Sequence, residues 1–122
     1  MSETLGRLEQ TRILAGLSEA SRAALSRLEV VPVVDSTNNH VLAGASAGWE
    51  SGAVCLTEQQ TAGRGRQGRR WLTPFGASLA FSLLWRFDRP PDALSGLSLV
   101  AGVAVARALQ KQGIAEAGLK WP

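Results

Sequence analysis

The clearest periodicity in the chain lies between Ser78 and Phe87, where Leu79, Phe81, Leu83, Trp85 and Phe87 alternate with smaller or polar residues. Alternate residues of a strand share a face, so this stretch predicts a strand with one apolar side. Upstream, residues 2–28 read as helix. Leu5 and Leu8 pair at i, i+3, and Gly16 is placed to end a first helix. Ser18 is placed to cap a second, with Ala24, Leu25 and Leu28 on its inner side. Val30–Val34 is β-branched around Pro32 and predicts a strand, at an edge or a strand start because proline donates no ladder hydrogen bond. Asp35-Ser36-Thr37-Asn38 offers four capping residues in a row, so a helix is expected to run from here to about Ala47.

After a small, polar loop at Ala45–Gly52, Ala53–Thr57 is short and apolar and predicts a buried strand. Residues 59–70 hold three glycines and four arginines without apolar period, which predicts a surface loop. Arg89-Pro90-Pro91-Asp92 is a turn. A long helix is expected over Ala93–Gln112, with Leu97, Val100, Ala101, Ala104 and Ala108 near helical spacing and Gly113 as its stop. Leu119–Trp121 begins another strand, and the sequence ends at Pro122 as that strand starts, so the expectation is a fragment of a longer protein. The longest apolar run, Leu97–Ala106, is interrupted by Gly102 and is too short to cross a bilayer.

Composition narrows the class. At 122 residues, with 45% hydrophobic and 19% charged residues, the chain fits one globular domain. The first ten residues hold no apolar core of a signal peptide, and the one cysteine, Cys55, cannot build a disulfide framework. The cytoplasm is the expected compartment. Cys55 falls in the buried strand and is assigned to the core, while His40 is placed on the surface of its helix. Cysteine and histidine do not cluster as a structural metal site needs.

Charge singles out one region. Thirteen basic against ten acidic residues leave a net charge of +3, yet Arg64, Arg66, Arg69 and Arg70 fall within seven residues with no acid among them. Interleaved glycines let the backbone approach an anion, and arginine forks match phosphate or carboxylate oxygens, so the stretch is a concentrated anion cradle. Gln59, Gln60, Thr61 and Trp71 add neutral hydrogen-bonding groups and a flat apolar wall, a mixture suited to a small ligand with an amide-like head and a charged tail. Gly63–Gly68 matches G-x-G-x-x-G, but a dinucleotide fingerprint needs a helix to follow, and Arg69-Arg70-Trp71-Leu72-Thr73-Pro74 is poor helix material. The arginine–glycine run also suits RNA, although Arg86, Arg89, Arg107 and Lys111 are scattered and form no broader basic face. For Asp35–Asn38, ordinary helix capping and a place in the same pocket as the arginine loop are both open readings.

Five blocks together resemble the biotin protein ligase family: VVDSTN (33–38), EQQTAGRGRQGRRW (58–71), PFGASLAFSLLW (74–85), GLSLVAGVAVARAL (96–109) and LKWP (119–122). The resemblance covers roughly residues 30–122 and implies an α/β fold, a mixed and largely antiparallel sheet flanked by helices, truncated at its C-terminal side. It divides the chain into a helical lead-in, 1–29, and a partial catalytic domain, 30–122. It further implies that biotin is activated by ATP, with Mg2+ assisting, to biotinyl-5′-AMP, and passed to a lysine of a biotin carboxyl carrier domain such as that of acetyl-CoA carboxylase. By the same resemblance Ser36, Thr37, Asn38 and Gln60 hold the ureido head, and Gly63, Arg64, Gly65 and Arg66 wrap the tail and phosphate. Arg66, Arg69 and Trp71 meet the nucleotide, and Arg64 and Arg66 are the catalytic cations. No permanently bound metal is implied. The family's pattern continues beyond Pro122, and the lead-in is too short for the winged helix some members carry, so no DNA binding is expected. A homodimer is an open expectation; a lipoyl-type acyl ligase of the same fold is the alternative, and the arginine-rich loop argues against it.

Overall fold

The computed structural model describes residues 7–71, 78–116, 118 and 119. Residues 87–122 form a compact unit separate from the first 86 residues, and each unit is described by itself.

In the first unit the expected helical lead-in is two short helices, α1 (Gln10–Gly16) and α2 (Glu19–Ala24). Ser18 caps α2 as its type predicts, its hydroxyl accepting from the Ser21 amide at 3.1 Å. The second helix ends earlier than its leucines suggest, and Leu28 belongs to the first strand, β1 (Arg27–Val34). Gly52, from a separate turn, passes close to this point. Its φ is +92°, and a Cβ on it would overlap the Ala24 carbonyl.

β1 pairs in parallel with β2 (Ala53–Gln60), and β2 pairs antiparallel with β5 (Ala80–Leu84), giving a mixed sheet of order β1-β2-β5. The edge position of β1 fits Pro32. The ladder passes from Val31↔Thr57 to Val33↔Gln59 and omits it, while the Pro32 carbonyl accepts from the Thr57 hydroxyl at 3.2 Å. Helix α3 (Thr37–Ser46) joins the parallel strands and packs on β2 and β5. Between it and the sheet lies a small core of Val41 from the helix with Ala53, Cys55 and Thr57 from β2. Burial pushes the Cys55 thiol up to about 11, with the charge of Glu29 as a lesser cause.

The C-terminal end of α3 is held by two side chains. The Trp49 ring lies directly on Gly44, where a Cβ would overlap it. Arg86 donates to the carbonyls of Ala45 at 2.8 Å and of Trp49 at 2.7 and 2.9 Å, placing a cation at the C-terminal end of the helix. His40 is also more engaged than a surface residue: its Nε2 is 2.8 Å from Glu29 Oε1 and its ring meets Trp49 edge-on at 5.6 Å.

The alternation in β5 is real, but its apolar face points away from α3. Ser82 faces the helix, while Phe81 and Leu83, with flanking Leu79 and Trp85, are 47–57% exposed. The register lines Phe81 and Leu83 up with Leu56 and Val54 of β2, and these with Val30 and Leu28 of β1, so a continuous apolar stripe crosses the sheet.

In the second unit a 3-10 turn (Pro91–Leu94) precedes α4 (Leu97–Lys111), which is shorter than the expected Ala93–Gln112. Gly96 at φ +88° separates the two, and Gly113 at φ +97° ends α4. Pro91–Lys111 is long and apolar enough to cross a membrane by length and composition, which the sequence reading does not anticipate. The break at Gly96 leaves α4 about 22 Å long, short of a bilayer core of about 30 Å. Leu119 packs on Gly102. The strand expected at Leu119–Trp121 lies largely outside the described residues.

Candidate functional site

Where β1 and β2 leave the sheet, their next residues stay together. The Thr61 amide donates to the Val34 carbonyl at 2.9 Å and the Ala62 amide to the Asp35 carbonyl at 2.7 Å. This draws the Asp35–Asn38 block and the glycine–arginine block to one corner of the fold.

The four capping residues then divide their work. Ser36 is the N-cap of α3, its hydroxyl accepting from the Asn39 amide at 3.0 Å, and it is buried. Thr37, 3% exposed, turns instead toward β2. Its backbone N–H donates to Gln60 Oε1 at 2.8 Å and its hydroxyl donates to the same oxygen at 3.2 Å. The hydroxyl also lies 2.8 Å from the Ser82 hydroxyl of β5. Capping is therefore realised at Ser36, while Thr37 is bonded to the end of the strand that leads into the arginine loop. Asn38 is exposed on the first turn of α3 and has no part in this cluster.

The Thr37–Gln60 contact also orients the side-chain amide. A backbone N–H needs an acceptor, so the Gln60 oxygen faces Thr37 and its NH2 group faces away. Ser82 is the residue that sequence reasoning missed. It is a hydroxyl on the small-residue side of the alternating strand, and only the register Cys55↔Ser82 brings it across from Thr37. Glu58 is a second unforeseen feature: it is buried, and its carboxylate accepts the Leu8 amide at 3.2 Å.

The glycine–arginine stretch is more ordered than the expected loop. β2 runs on to Gln60, and two-residue strands β3 (Gly63–Arg64) and β4 (Arg70–Trp71) pair antiparallel as a ribbon. Arg66–Gly68 forms a 3-10 turn at its tip, Gln67 adopts the left-handed φ of +61°, and the Gly65 amide donates to the Arg69 carbonyl at 2.6 Å. A strand, not a helix, follows G-x-G-x-x-G, which is why it is no dinucleotide fingerprint. Gly63 is buried, Gly65 half-buried, and Arg64, Arg69 and Arg70 are exposed. The side chains of Arg66 and Trp71 lie outside the described residues, so their expected roles have no geometry here.

Residues 30–122 match the model of the biotin/lipoate A/B protein ligase family. The bifunctional ligase/repressor BirA of Escherichia coli is 42% identical over 122 residues, all of this chain and 36% of that protein. The biotin–[acetyl-CoA-carboxylase] ligase of Mycobacterium tuberculosis is 44% identical over 101 residues, 79% of this chain and 38% of that protein. Among solved structures, the Aquifex aeolicus biotin protein ligase in complex with biotin and ATP superposes with a TM-score of 0.64 at 34% identity, over 80% of this chain and 40% of that one. The chain thus spans less than two fifths of either curated relative. The order of its motifs, the mixed sheet behind them and the family model agree: this chain belongs to the biotin/lipoate A/B protein ligase family.

Proposed function

We propose that the chain is the biotin- and ATP-handling front part of a cytoplasmic biotin protein ligase. The observation that carries this reading is the pairing of Thr37 with Gln60 beside the glycine–arginine ribbon, on a chain whose relatives are named as biotin ligases. Thr37, Gln60 and Ser36 take the ureido head. The amides and cations of Gly63–Arg66 take the carboxylate tail and the α-phosphate, and Arg69 and Trp71 take the nucleotide.

In the first step a carboxylate oxygen of biotin attacks the α-phosphorus of ATP. The bond from that phosphorus to the bridging oxygen breaks, and pyrophosphate leaves. In the second, a lysine amine of a biotin carboxyl carrier domain attacks the mixed-anhydride carbonyl, and AMP leaves. Two anions must approach in the first step, and fixed guanidinium groups offset their repulsion most where negative charge grows in the transition state. Magnesium accompanies the nucleotide in this reading. Among the described residues no three His, Cys, Asp or Glu side chains gather to hold an ion, and none of the roles assigned above depends on one.

Titration calorimetry of the full-length natural polypeptide with biotin tests the proposal. Saturable heat with biotin but not with lipoate is expected, and no heat at high micromolar biotin ends it. The exposed Arg64, Arg69 and Arg70 support a second reading, an RNA grip. It requires RNA affinity that falls steeply with salt.

A further inference from the structure

We infer that Ser82 is a positioning residue that, by donating to Thr37, fixes and polarises its hydroxyl as an acceptor for a ligand N–H. The inference rests on the biotin ligase reading. A threonine hydroxyl has one proton and two lone pairs. Thr37 has two neighbours for that proton, Gln60 Oε1 at 3.2 Å and Ser82 Oγ at 2.8 Å. Gln60 Oε1 already accepts the Thr37 backbone N–H at 2.8 Å and can act only as an acceptor, so the bond to it must come from Thr37. Ser82 then has to be the donor in its contact with Thr37. Protons run in one direction, Ser82 to Thr37 to Gln60, and each bond polarises the next.

In this arrangement Thr37 has spent its proton and keeps one lone pair. Its hydroxyl is therefore an acceptor, matched to an N–H such as a cyclic urea presents and mismatched to a carbonyl in the same place. Without Ser82 the Thr37 hydroxyl keeps Gln60 as its acceptor but loses the donor that polarises that bond and fills one of its lone pairs. Thr37 sits on α3, Gln60 on β2 and Ser82 on β5, so the polarity is set by three elements that only the folded sheet brings together. The strand partner of Ser82 is Cys55, whose buried thiol is a poor donor, and it does not replace the missing hydroxyl.

Calorimetric biotin titration of the full-length natural polypeptide provides the test, with thermal unfolding recorded alongside. Ser82→Ala is expected to weaken biotin binding about tenfold, the loss of one hydrogen bond in a polar site. Ser82→Thr, which keeps a hydroxyl on the same strand, should restore it to within about threefold. In a Thr37→Val background, Ser82→Ala should change affinity less than about twofold, because the residue through which it acts is gone. A purely structural Ser82 would weaken binding equally in both backgrounds, and that result overturns the inference, as does wild-type affinity in Ser82→Ala. Should Ser82→Ala not fold, Ser82→Cys takes its place with the same criteria. Wild-type protein that binds no biotin sinks the ligase reading itself. Wild-type protein that binds while Ser82→Ala is unaffected sinks the role of Ser82 alone.

Discussion

Arg66 is the residue on which the proposed chemistry leans most. Arg66→Ala should lower biotinyl-AMP formation by about 10²–10³-fold, the usual effect of removing one donor that acts on developing charge. The denaturation midpoint should stay near that of the parent, and equal loss of rate and stability would make the ribbon structural. Gly44 makes the opposite kind of prediction. Its α3 position has no room for a methyl under Trp49, so Gly44→Ala should cost about 1–3 kcal/mol in a urea titration. At this scale much of the site could be read from the sequence. Residue type offered four caps from Asp35 to Asn38, of which the fold uses Ser36, and made Cys55 core. Ser82 could not be read, because its meaning depends on which strand lies beside β2, and strand order is not written locally.

At the scale of elements, the tie between β1 and α3 is electrostatic as well as packed. His40 of α3 holds the Glu29 carboxylate of β1 below its ordinary value, with Arg27 adding to the effect and partial burial opposing it. An acid whose folded value is depressed stabilises the fold fully above its unfolded value of about 4.5, and that stability drains away as pH falls through the folded value. Denaturation midpoints measured from pH 6 downward should therefore drop across the acid range, and Glu29→Gln should flatten the drop. A variant with the same slope as the parent would show that other carboxylates dominate. Element type and order followed from periodicity: a strand at Pro32, a helix from the capping block, a strand through Cys55, an alternating strand at Phe81. Boundaries did not. β2 ran three residues further than its apolar run, because Gln59 and Gln60 are polar but still laddered to β1, with Glu58 carried between them and Thr57. The ribbon at 63–71 was unreadable as strand, since two-residue strands carry no period.

For the whole molecule, the sheet has one helix-covered face and one apolar face. Leu79, Phe81, Leu83 and Trp85, together with the exposed Leu97, Leu99 and Val100 of α4, amount to far more apolar surface than a soluble chain ordinarily shows water. The 122-residue polypeptide alone should therefore self-associate, visible as scattering that rises with concentration and salt. Phe81→Thr with Leu83→Thr should suppress it while leaving the strand period intact. Scattering unchanged by the double substitution would point to α4 instead. The sequence showed the apolar stripe but not its outward aim, because alternation defines two faces without saying which one a helix will cover.

The bonds from Thr61 and Ala62 back to Val34 and Asp35 have a dynamic consequence. They fasten the exit of β2 to the turn that launches α3, so the ribbon cannot peel away without releasing the start of the helix. Opening at this corner is then a single cooperative event, and the amides of Thr37, Thr61 and Ala62 should exchange with solvent deuterium at a common rate. A ligand held between the two blocks would slow all three together, including those it does not touch.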